Sequence, residues 1–153
     1  MRNLSHMERT LPREGQIIQA NLARVSRFLK PDIAVIDGTL GIQGNGPSGT
    51  YTIELGVAVA GADPFAADAV MARPMGFEPQ AVGLLAYAGQ MGIGVTNLRD
   101  IEVVGPSLET DVRPFKPHET QALQLQWRDA RVAEQLLSAS GVQLRARKSG
   151  GAS

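Results

Sequence analysis

The chain has 153 residues, enough for one domain with a real core, and its 20% charged and 43% apolar content marks an ordinary globular protein. Net charge is zero and the pI is near 6.7, so no global electrostatic case exists for nucleic acid or an anionic membrane. With zero cysteines, disulfides, a thiolate nucleophile and any cysteine-held zinc or iron–sulfur centre are excluded within this chain. His6 and His118 sit in polar terminal segments, which argues against a histidine-rich metal site. No apolar run approaches about 18 residues and the first residues lack a signal-peptide core, so the expectation is a cytoplasmic protein without membrane spans.

Residues 1–13 read as a polar leader containing Pro12. From Glu14 to Leu29, Ile18, Leu22, Val25 and Phe28/Leu29 recur at helical spacing, and Lys30-Pro31 stops the helix because the residue before proline avoids the α region. Asp32–Ile36 is a short apolar run, read as a buried strand with Asp37 at its carboxyl end. Ligands of open α/β sheets bind at that edge, which gives Asp37 a positional reason for suspicion. The plainer alternative is an Asx-turn, the carboxylate accepting from the amide of Thr39 or Leu40.

Asp37 to Thr50 carries five glycines and reads as a long loop, of the kind that is usually functional or disordered. Gly44-Asn45-Gly46-Pro47-Ser48-Gly49 matches G-x-G-x-x-G, but Pro47 interrupts it and Gly49-Thr50-Tyr51-Thr52 leads into a strand rather than a helix. It is therefore not a dinucleotide fingerprint, and with no lysine after the glycines it is not a Walker loop. What remains is either an anion-binding nest of loop amides or a hairpin-like connection.

Glu54–Ala60 reads as a second strand, and Asp63-Pro64 as a helix start, with Asp63 at the N-cap and Pro64 at N1. Asp68 stands in an otherwise apolar helix, Phe65 to Ala72, where a buried carboxylate would need a partner or a metal. A salt bridge to Arg73 or Arg2, or exposure on a narrow polar face, is the structural alternative. Pro74 and Gly76 end this helix. Glu78-Pro79 opens another through Ala81, Leu84, Leu85, Ala88 and Met91, with Gly92 or Gly94 at its exit. Ile101–Gly105 is read as a third strand, parallel to the second across a right-handed helical crossover. Pro106, Pro114 and Pro117 mark a linker over 106–117. A helix over 118–138 follows, with Leu123, Trp127, Ala130, Ala133 and Leu137 along one side, and then a disordered tail over 139–153.

Three stretches together resemble the carboxyl-terminal part of the uncharacterised bacterial and archaeal family called domain of unknown function 362. They are Pro31–Gly38 with Gly44-Asn45-Gly46-Pro47, then Ala60–Val70, then Met75-Gly76-Phe77-Glu78-Pro79. The resemblance spans about residues 15–105. Members of the family often carry, or are fused to, ferredoxin-like cysteine motifs holding [4Fe–4S] clusters, so the resemblance implies a role near iron–sulfur redox chemistry. This chain departs from the pattern: it has no cysteine, Gln43 stands where an acidic residue is usual, and Pro74 falls where the helix usually continues. It also lacks the amino-terminal part of the family domain, which suggests a fragment or a subunit whose sheet another chain completes.

The fold expected is α/β, a small mostly parallel sheet under helices, as the 14–105 domain. The leading functional expectation is a ligand-binding domain, with Asp37, Gly38, Gly44, Asn45, Gly46, Ser48 and Asp63 around a small anion. Asp37 and Asp68 would hold a divalent metal such as Mg²⁺ or Mn²⁺, provided they converge in space. No general base is identifiable, so no reaction is assigned. The rival is a non-catalytic interaction subunit docking an iron–sulfur protein or a second copy, with Trp127 and Leu123 as anchors.

Overall fold

The computed structural model describes residues 14–46, 51–106 and 111–128. Helix α1 spans Glu14–Ser26. Among its described side chains the buried ones are Ala20, Asn21 and Ala23, not the larger apolar residues of the expected stripe. The alanines let the helix approach Ala86 and Tyr87 closely. Phe28 and Leu29 lie beyond the helix end, in a turn whose amides donate to Val25 O, and both are exposed.

Strands β1 (Ala34–Ile42) and β2 (Thr52–Gly61) form an antiparallel hairpin, with Ala34 opposite Gly61 and Ile42 opposite Thr52. This corrects the expected mostly parallel sheet: among the described residues the sheet has these two strands and no third. Ile101 to Val104 finds no sheet partner among the described residues, and Val104 is almost fully exposed. Nor does β1 stop at Ile36. It runs on through Gly38 and Gly41, so most of the expected glycine loop is strand. Consecutive strands joined by a short connection pair antiparallel, which removes the need for a crossover.

Helix α2 (Pro64–Ala72) lies under one face of the hairpin. Met71 joins Leu55 and Phe115 there, with Ile36, Ile53, Val57 and Val59 packed around them. The helix gives way at Arg73 and Pro74, as the proline demands, and Gly76 takes the left-handed backbone (φ 82°) of the turn beyond. A 3₁₀ turn at Pro79–Ala81 precedes helix α3 (Gly83–Met91), so the expected single helix from Glu78 is broken at Val82. Gly92 closes α3 in the left-handed conformation, φ 66°. One side of α3 meets α1, and the other buries Leu85 and Ala88 against Phe65 and Ala69 of α2. A second 3₁₀ turn spans Leu98–Asp100.

The segment around Phe115 returns to the core. The amides of Arg113 and Phe115 donate to the carbonyls of Pro74 and Met75, and the Phe115 ring is buried on the hairpin. Helix α4 is short, Gln121–Gln124, and passes into a 3₁₀ turn at Leu125–Arg128. The rest of the expected helix over 118–138 lies outside the described residues, as do the side chains of Leu123 and Trp127.

Candidate functional site

β1 does two things with its glycine-rich sequence. Gly38 faces inward, where an added Cβ would strike the Met71 methyl and lie 2.9 Å from Val57 O. Gly41 likewise faces the Phe115 ring, whose Cε2 would be 2.6 Å from a Cβ. These glycines are strand residues because other parts of the chain press onto them. Between them the register slips at Thr39, which stands opposite two residues of β2, Leu55 and Gly56, so the bulge's extra residue lies on β2. Across this irregularity the in–out alternation of β1 shifts, so Leu40 and Ile42 are exposed alongside Val35 and Asp37.

Asp37 is therefore exposed on the outer face, mid-strand opposite Ala58, rather than at a strand's carboxyl end. Its Oδ1 accepts from the Thr39 amide at 2.9 Å. The Thr39 hydroxyl, and then that amide, hold the carboxyl below the usual carboxylate range. The carboxylate clamps the bulge. This is the Asx geometry that the sequence offered as the alternative to a ligand role.

The hairpin end is tied into the chain. The Gln43 amide donates to Tyr51 O, and the Gly44 amide donates to Lys116 O at 2.8 Å, with Gly44 at φ 74°. Gln43 Oε1 accepts from the Lys116 amide, and Asn45 Oδ1 accepts from the Glu119 amide at 3.0 Å. The Lys116 ammonium lies 5.4 Å from the centre of the Tyr51 ring. The Gly44 amide and the Asn45 side-chain oxygen thus hold residues 116–119 in place. Gly46 is half-buried next to this clamp, and Ser48 lies outside the described residues.

Asp63 caps α2. Its Oδ1 accepts from the Phe65 amide at 3.1 Å, its Oδ2 from the Val95 amide at 2.8 Å, and Lys30 Nζ stands 3.3 Å away. Burial pushes this carboxyl up, but the Val95 and Phe65 amides and Lys30 together outweigh it, leaving the pKa below the ordinary value. Asp68 reaches solvent from α2, but the neighbouring protein still strips part of the water from its carboxyl, and this partial desolvation raises its pKa. Arg73 turns away to Glu78, with Nη1 to Oε2 at 3.3 Å, and Arg2 lies outside the described residues.

The structure does not draw Asp37 and Asp68 together. The pleat turns Asp37 to the face opposite Gly38, while α2 packs on Gly38's side. Among the described residues no group of three or more His, Cys, Asp or Glu stands close enough to hold a metal. With no cysteine in the chain, the iron–sulfur cluster of the family pattern finds no thiolate ligands here. Among the described residues no helix is long and apolar enough to cross a membrane.

What sequence reasoning missed is the outer face itself. Val35 (73% exposed), Leu40 (56%) and Ile42 (47%) form an apolar row on β1, with Ala58 and Ala60 exposed beside them on β2. Asp37 and Glu54 are the acidic residues on that face. The signal was available in the apolar residues at 40 and 42, but the bulge that turns them outward is not a local property of the sequence.

These features define a mixed α/β protein whose antiparallel hairpin is covered on one face. The family model described as Domain of unknown function (DUF362) matches residues 1–73, which supports the family resemblance. It takes in β1, β2 and α2 and stops short of the Met75–Pro79 stretch. Over 75 residues the chain is 28% identical to a thylakoid-associated protein of Synechocystis sp., an alignment covering 49% of this chain and 23% of that protein. The chain thus matches less than a quarter of the length of that curated relative. No solved structure matches the chain.

Proposed function

We propose that this chain is an interaction module, corresponding to the carboxyl-terminal part of the family domain, whose hairpin is covered by a second polypeptide. The observation that carries the reading is the inverted patterning of β1. An antiparallel strand with one wet face normally sends polar side chains outward. β1 instead gives Gly38 and Gly41 to the core and Val35, Leu40 and Ile42 to solvent. The outer edge of β1 is also unpaired among the described residues, and a lone two-stranded sheet is marginal without further cover. The relative's additional length supports the reading, since more than three-quarters of that protein lies outside the match.

The partner this face fits is a strand or sheet with apolar side chains and a basic residue opposite Asp37 and Glu54. An iron–sulfur protein is the partner class the family resemblance implies. Ligand binding at the glycine-rich stretch is the weaker reading, because the Gly44 amide and Asn45 Oδ1 already have partners within the chain. The test is a photo-crosslinking residue placed at Val35, with exposed Glu102 as the control position, in the organism that makes the protein. A discrete polypeptide adduct at 35 that disappears with Leu40→Lys is expected. Equal adducts at both positions, or none at 35, would refute the docking face.

A further inference from the structure

The two edges of the hairpin differ. On β2 the edge is closed at Glu54, whose carbonyl accepts from the Arg113 guanidinium. On β1 the groups that face away from β2 follow from the ladder. Gln43 donates to Tyr51 O, one residue beyond the Ile42–Thr52 pair, and bonded pairs alternate with unbonded ones along an antiparallel ladder. Gly41–Ile53 is therefore a bonded pair, and Leu40 and Ile42 turn their N–H and C=O groups to the free edge. The Arg113 contact agrees, since Glu54 stands opposite Leu40.

In a strand the side-chain face and the sideways direction of the N–H alternate together. Leu40 and Ile42 face outward, and so do Val35 and Asp37 before the irregularity, so these four present main-chain groups to the same edge. Among the described residues nothing else bonds to those groups. Ala34–Ile42 contains no proline or lysine, the usual guards of an exposed edge. Asp37, its one charged residue, is turned back onto the Thr39 amide.

The exposure pattern of β1 is also self-complementary. A second β1 can lie antiparallel to the first, with Val35 opposite Ile42 of the second copy and Asp37 opposite its Leu40. Outward residues then meet outward ones, and Ile36 meets Gly41 on the inner face. At the centre Gly38, with no side chain to place, meets Thr39. In a strictly alternating strand Val35 and Ile42 would lie on opposite faces, so it is the shift at Thr39 that brings the two copies into phase. The same register sets the four residues with free main-chain groups against one another. It also pairs apolar Val35 with apolar Ile42 and keeps the two Asp37 carboxylates from standing opposite each other.

We propose that two copies of this chain pair β1 to β1 across the free edge, about a two-fold axis, to make one continuous sheet in the order β2–β1–β1–β2. The contact uses the edge of the hairpin, not the outer face assigned to a partner above, and goes beyond that reading. The joined sheet sets the outer faces of both copies side by side.

The test uses the intact chain, in which the lack of cysteine makes an introduced one the single labelling site. Sedimentation equilibrium over a concentration series should show a reversible monomer–dimer equilibrium. A nitroxide on Val35→Cys should report a second label about 24 Å away, the rise of the strand from position 35 to position 42. Val35→Lys combined with Ile42→Lys leaves the main chain untouched, sets like charges opposite each other and should leave monomer alone. Ile42→Pro removes an edge N–H without touching the ladder to β2 and should do the same. Each variant is checked for an unchanged fold by circular dichroism. A chain that stays monomeric at every concentration overturns the proposal, as does a label separation matching another register or a dimer that survives the folded variants. A monomeric result would leave the outer-face reading standing, because the crosslink at Val35 in the cell reports capture of a different polypeptide by its mass.

Discussion

Asp63 is where a ligand role and a structural role make opposite predictions, and Asp63→Ala separates them. The carboxylate caps α2 through Phe65, holds the Val95 amide in the loop after α3, and sits beside Lys30 in the connection after α1. Loss of an N-cap costs about 1 kcal/mol and loss of an amide–carboxylate hydrogen bond about 1 kcal/mol more. A partly exposed ion pair adds roughly 0–1 kcal/mol. Asp63→Ala should therefore lower the unfolding free energy by about 2–3 kcal/mol in urea melts at pH 7, with the slope unchanged. Asp63→Asn keeps a good cap oxygen and should recover about half of that. The folded-state pKa lies below the ordinary one, so this stability is fully present above the unfolded pKa and lost as pH falls through the folded pKa. The gap between the unmodified chain and Asp63→Ala should be flat from neutrality to about pH 5, then close on further acidification. A loss under about 0.5 kcal/mol, or a gap that widens in acid, would refute the capping argument.

Gly76→Ala should lower stability by about 2–3 kcal/mol, because φ is 82° and the new Cβ would lie 2.8 Å from Pro114 Cα. An unchanged melting temperature would show that the contact with Pro114 yields freely. Asp68→Asn should raise stability at pH 7, since desolvation raises the folded pKa and ionising that carboxyl costs the folded state. That penalty is complete above the folded pKa and absent below the unfolded one, so the gain should vanish below about pH 4. A gain that persists in acid would trace to something other than the charge.

Local chemistry made several parts of this fold legible. Asp63-Pro64 announces the start of α2, Gly92 its left-handed stop at the end of α3, and Asp37 the amide two residues on. Each depends on neighbours within a few residues. The misreadings share the opposite property. Gly38 and Gly41 look like loop residues until Met71 and Phe115, 33 and 74 residues further along the chain, are seen to need the space. Ile101 to Val104 has the β-branched composition of a strand, but a strand exists only where a partner offers hydrogen bonds, and among the described residues none does. In α1 the stripe of large residues was legible, while the close approach to Tyr87 selected the alanines instead.

The bulge at Thr39 links the structural reading to the functional one. Without it, strict alternation from Gly38 would send Leu40 to the core and Gly41 to solvent, with Phe115 left facing a side chain instead of a glycine. With it, the core closes over small residues and the apolar ones are displayed. Asp37 holds the bulge through the Thr39 amide, so a residue that reads as a ligand acts by shaping the face where a partner would sit.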